Sequence, residues 1–153
     1  MLMRFTVRIF LLLFVLLMDG TCVTGVGSNQ AASIQDVHTE RTDPDSFVIF
    51  FSLRDNASAV VTSEGKATIE IIQMPYLSNK GRPTMLFNQT REVAKSDFKV
   101  SSLGIHYYSF GPISNSQFGH LDAMGANYAV VNIYFETSDG RVLSGKCDLP
   151  IPL

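Results

Sequence analysis

The run Tyr128-Ala129-Val130-Val131-Asn132-Ile133-Tyr134-Phe135-Glu136, the turn Ser138-Asp139-Gly140 and the return from Arg141 to Leu149 decide the fold class. Ala129, Val131, Ile133 and Phe135 share one face of the first run. Tyr128, Val130, Asn132, Tyr134 and Glu136 share the other, as successive side chains of a strand point to opposite faces. Asp and Gly tolerate the backbone conformations of a hairpin turn. On the return, Leu143, Cys147 and Leu149 fall on one side, and Pro150 and Pro152 stop further pairing.

Upstream, the same period of two recurs. Phe47, Ile49, Phe51 and Leu53 share a face, with Val48 and Phe50 opposite, so this strand is expected to be covered on both sides or to sit mid-sheet. Arg54-Asp55-Asn56 marks a turn, Ala59 to Thr62 is a short run, and Ser63-Glu64-Gly65 turns again. From Lys66 to Gln73, Ala67, Ile69 and Ile71 alternate with Lys66, Thr68 and Glu70, a half-buried strand. Met74-Pro75 ends it. Thr84 to Asn88 and Thr90 to Ala94 read as two short strands or one bent strand, and Ser96-Asp97 opens a helical turn holding Phe98. Ile105 to Phe110 is an aromatic-rich strand. Six to eight strands in about 110 residues, with no helical period, predict an all-β, antiparallel sandwich.

The N-terminus sets the compartment. Arg4 and Arg8 precede ten unbroken apolar residues, Ile9 to Met18, and small residues follow. That order is a secretory signal peptide. Ten apolar residues are too few to cross a bilayer, which favours a cleaved signal over a retained anchor. Gly25 and Gly27 fit a cut before Ser28, and Gly20 and Cys22 fit one before Val23. A lipidated Cys22 remains open, although Asp19-Gly20-Thr21 resembles a lipobox poorly. The expected organisation is a signal over 1–27, a flexible polar arm over 28–45 and a β-sandwich domain over 46–153. Loss of Arg4, Arg8 and Asp19 removes two positive charges and one negative, moving the formal net charge from −2 to −3. With no basic run, nucleic acid is not an expected partner.

The chain has two cysteines, Cys22 and Cys147, so it is not a disulfide-framework scaffold. A cut before Cys22 would allow the two to pair. A later cut leaves Cys147 as a buried small hydrophobe. Asn56-Ala57-Ser58 and Asn88-Gln89-Thr90 are glycosylation sequons, meaningful in a eukaryotic secretory pathway.

The opening strand, the Asp55-Asn56 turn, Val60-Val61, the Gly65 turn and Lys66 to Ile72 resemble the start of extracellular immunoglobulin-like or fibronectin-III-like modules, and the Asp139-Gly140 hairpin resembles their closing strands. The chain departs from antibody-type domains in lacking Trp and an internal Cys pair. Such modules serve adhesion, carbohydrate binding, chaperoning and spacing alike, so the resemblance implies a fold more than an activity.

Chemistry-bearing motifs are sparse. No G-x-S-x-G, H-E-x-x-H or phosphate-cradling glycine loop occurs. His38, His106 and His120 show no metal-ligand spacing, though His106 and His120 could meet with Asp122. Asp36, Glu40, Asp43 and Asp45 lack the calcium-loop ladder and read as a solvated acidic arm. No cofactor is expected. Binding is best placed between Ile105 and Asn127, where Tyr107, Tyr108, Phe118 and His120 surround a long weakly periodic stretch, with Tyr76 as a further member. The competing expectation is that Tyr108, Phe110 and Phe118 pack the core.

These features predict a secreted, non-catalytic binding or adhesion module that recognises a protein or carbohydrate through loops. A structural subunit or spacer of a surface assembly is the alternative, and a small secreted hydrolase a third. Intact mass of the secreted protein checks the first step. A chain starting at Ser28 is expected, whereas one starting before Cys22 would restore the possible bridge to Cys147.

Overall fold

The computed structural model describes residues 30–76, 82–122 and 125–151. The expected signal segment, Cys22 and both cut positions lie outside them. Among the described residues, nine strands run as β1 (Ser33–Asp43), β2 (Ser46–Arg54), β3 (Val60–Val61), β4 (Gly65–Pro75), β5 (Thr84–Val93), β6 (Lys99–Val100), β7 (His106–Ser114), β8 (Gly125–Thr137) and β9 (Val142–Pro150). They form two antiparallel sheets, one ordered β1-β2-β7-β6 with β3 added against β2, the other β5-β4-β8-β9. The protein is an all-β sandwich.

The alternation read in β4 and β8 is the alternation of burial. Ala67, Ile69, Ile71, Ala129, Val131, Ile133 and Phe135 are fully buried. Opposite them, on the other sheet, lie Phe47, Ile49, Phe51 and Leu53 of β2, with Phe110 and Ile113 of β7. Phe51 joins the layers, with its ring centroid 6.3 Å from Phe135 and 5.4 Å from Tyr108. Tyr108 in turn meets Phe98 at 5.7 Å. The two readings of 84–94 resolve as one strand. A bulge between Ile71 and Ile72 in the β4–β5 pairing lets consecutive Leu86 and Phe87 both turn inward.

The polar segment expected as a flexible arm is corrected here. Ser33–Asp43 is strand β1, paired with β2 from Ser33↔Arg54 to Asp43↔Ser46. Only Ile34 of its side chains is buried, so its order rests on backbone pairing that hydrophobic periodicity cannot report. β1 also packs on β9. A Cβ on Gly145 would stand 2.8 Å from Ile34 Cγ2 and 2.9 Å from Val37 Cγ2. The long loop expected after Phe110 is shorter than the sequence suggested. β7 continues through Gly111-Pro112 to Ser114, and a 3-10 turn at Asn115–Gln117 follows, capped by Ser114.

Gly65 starts β4 where no side chain fits. A Cβ there would lie 2.2 Å from the Glu136 carbonyl oxygen and 2.9 Å from the Phe135 ring. Gly65→Ala is therefore expected to cost about 3 kcal/mol by overpacking. Ser144→Ala, on the exposed side of β9, should leave denaturant midpoints unchanged.

Candidate functional site

Strand alternation commits one face of each sheet to the core and leaves the other to solvent. Two features stand out on these outer faces. The first is on the five-stranded sheet. His38 of β1 and Phe50 of β2 are paired in register and stack, with ring centroids 5.1 Å apart and planes 17° apart. Tyr107 of β7 meets Phe50 edge-on at 5.6 Å and 64°. Beside these rings is a depression of about 390 Å³, lined also by Asp36, Glu40, Ser52, Ser101 and Ile105.

A bulge in β1 between Gln35 and His38 shapes its wall. At this bulge Asp36 adopts a left-handed conformation, φ 54°. Its carboxylate accepts hydrogen bonds from Ser52 Oγ at 2.5 Å and Arg54 Nη2 at 3.0 Å. The Ser52 hydroxyl first, and the Arg54 guanidinium second, hold the Asp36 carboxyl below its ordinary pKa. His38 Nδ1 lies 2.9 Å from the Asp36 carbonyl oxygen. A carbonyl only accepts, so Nδ1 carries the proton and Nε2 faces Glu40 Oε1 at 3.5 Å.

The second feature is on the four-stranded sheet. Ile72 of β4 pairs with Met85 of β5 on one side and Val130 of β8 on the other. All three point away from the core, and Met85 is 46% exposed. Tyr128, 42% exposed, is two residues along the same face, opposite Pro150. Tyr76, 57% exposed, stands just beyond the same end of β4. The buried amide of Gln73 fixes this end. It donates to the carbonyls of Asp122 and Ala126 and accepts from the Asp122 N–H.

The five residues singled out for binding do not come together. Tyr107 lines the depression on one sheet, and Tyr76 edges the apolar row on the other. Tyr108 is buried in the core, 6% exposed, and burial raises its phenol pKa. Phe118 is partly buried against the core, its ring 5.9 Å from Phe47. His120 is exposed, one residue beyond Gly119, whose N–H donates to the Leu86 carbonyl of β5. Adjacent strand residues face opposite ways, which separates Tyr107 from Tyr108.

Among the described residues Cys147, on β9 and partly buried against the core, is a free thiol. Burial, with a smaller effect from Asp148, pushes its pKa to about 11, so little nucleophilic thiolate exists at neutral pH. Asn56 and Asn88 are exposed, the first in the turn after β2 and the second on β5. Among the described residues, no group of three or more His, Cys, Asp and Glu side chains is placed to hold a metal, and no helix is long and apolar enough to cross a membrane. The chain matches no protein-family model, and a search of curated proteins finds no match for it.

Consecutive tyrosines provide a direct check on this placement. Tyr108→Ala is expected to destabilise the fold by about 3 kcal/mol through the cavity it leaves. Tyr107→Ala should cost well under half of that in the same denaturant titration. Equal losses would place both rings in the core.

Proposed function

We propose that this chain is a secreted, non-catalytic recognition module of immunoglobulin-like architecture. It binds a protein partner through the outer face of its four-stranded sheet. The observation that carries this reading is the row Met85–Ile72–Val130 with Tyr128 and Tyr76 at the same end. An alternating strand normally presents polar residues to water, as β4 does with Lys66, Thr68 and Glu70. Contiguous apolar side chains on such a face mark an interaction surface. Exposed Tyr and Met residues adapt to and anchor protein partners.

The strand order supports the architectural part. β1-β2-β7-β6 and β5-β4-β8-β9 correspond to A-B-E-D and C′-C-F-G of immunoglobulin-type sandwiches. Phe51 packs against Phe135 between the two strands that carry the cross-sheet disulfide of antibody domains. Secretion rests on Arg4, Arg8 and the apolar run from Ile9 to Met18. In a eukaryotic pathway, glycans would be carried at Asn56 and Asn88. Tyr108 and Phe118 are drawn inward, which favours contact through the sheet face over contact through those loop aromatics.

A structural subunit of a surface assembly is the second reading. It is favoured by β5, which among the described residues ends its sheet with β4 as its one strand neighbour. A photo-reactive side chain at Tyr128 tests the first reading on the secreting cell's surface. It should cross-link one recurrent protein, and Met85→Glu should cut the yield about tenfold, as loss of a central anchor does. The same label at Val142, more accessible than Tyr128 and at the far end of the sheet, should give background. Equal yields from both positions would remove the sheet-face reading. A labelled copy of the chain itself as the recurrent product would favour the assembly.

A further inference from the structure

His38, Phe50 and Tyr107 form an aromatic corner across three adjacent strands. Two nearly parallel rings make one wall, and Tyr107, inclined 64° to Phe50, makes the other. The carboxylates of Asp36 and Glu40 also line the depression. Asp36 is ion-paired with Arg54 at 3.0 Å. Glu40 faces the ring of His38 at 3.5 Å. Among the described residues, no lysine or arginine belongs to the lining, although Lys99 is paired with Tyr107 on β6, at its outer margin.

We propose that this depression binds an organic cation, the ammonium or guanidinium head of a lysine, arginine or methylated amine. The faces of aromatic rings carry negative potential, and they attract weakly hydrated cations within about 6 Å of the ring centre. A carboxylate beside the rings adds a charge that a neutral ligand does not use. The cavity, about 390 Å³, has the size of small-ligand sites and holds such a head group with its alkyl stem. At the bulge, Asp36 lines the depression, its carboxylate held by Ser52 and Arg54. This site is on the opposite sheet from the apolar row and does not depend on it.

Choline, Nα-acetyl-lysine methylamide and its trimethylated form serve as probes for two-dimensional NMR titration of the secreted protein. The neutral control is 3,3-dimethylbutanol, which has the shape of choline without its charge. Choline should shift the amides of His38, Phe50 and Tyr107 saturably in the millimolar range. Tyr107→Leu should weaken it about threefold, the effect of losing one ring of an exposed cation–π site, and Glu40→Gln about threefold through loss of an exposed charge pair. Both changes are at partly exposed side chains, and a thermal melt confirms folding before titration. Met85→Glu should leave choline binding unchanged, so failure here and failure of the sheet-face reading are distinguishable. Equal shifts with 3,3-dimethylbutanol would reduce the site to an apolar hollow. Saturable binding of methyl glycosides without choline binding would replace the cation with a sugar. An absence of shifts with every probe would overturn the proposal outright.

Discussion

Gly65 and Gln73 stand at the two ends of the β4–β8 pairing, and together they hold its register. At one end, Gly65 passes so close to the Glu136 carbonyl that only hydrogen fits on its Cα. At the other, the Gln73 amide is buried and ties β4 to Asp122 and Ala126 at the entrance of β8. A slip of one residue would exchange the faces of a strand. Here it would bring Lys66, Glu70, Asn132 and Glu136 into the space now filled by Ala67, Ile69, Ile133 and Phe135. An unpaired buried amide costs about 1–3 kcal/mol, so the Gln73 bonds are as decisive as the apolar contacts beside them.

That register also determines what the outer faces display. With Ile69 and Ile71 inside, Ile72 must face out, and its neighbours Met85 and Val130 follow by pairing. On the other sheet, burial of Phe51, Tyr108 and Phe110 turns Phe50 and Tyr107 outward. Both surfaces are therefore built on paired strands rather than on loops. Their side chains start from fixed backbone positions.

How far this was legible depends on the kind of signal. β4, β8 and the β8–β9 hairpin were readable because one apolar face alternates with a polar one. β2 was readable as a mid-sheet strand, flanked by β1 and β7, whose second face carries Phe50. β1 was hidden, because an edge strand held by backbone hydrogen bonds carries no apolar stripe, and Pro44 at its turn looked like disorder. Tyr107 and Tyr108 were both offered for binding, and strand parity with Phe110 favours the competing core reading for Tyr108. The apolar row did leave a trace. Ile72 and Val130 occupy positions that the alternation reserves for polar residues. Their meeting with Met85 could not be anticipated, since the bulge in the β4–β5 pairing sets it.

The pairing that fixes the sandwich also sets the order in which it can form. β1 with β2, β4 with β5 and β8 with β9 are neighbours along the chain and can close as local hairpins. β4 meets β8 only after Gly65 has found Thr137 and Pro75 has found Gly125, with the whole of β5 to β7 between them. Entropy lost in closing such loops comes before the core contacts that reward it, which makes folding slow. Until then, the apolar edges of three hairpins are open to other chains. The period before these hairpins dock, more than the finished fold, is when this sequence is most exposed to aggregation.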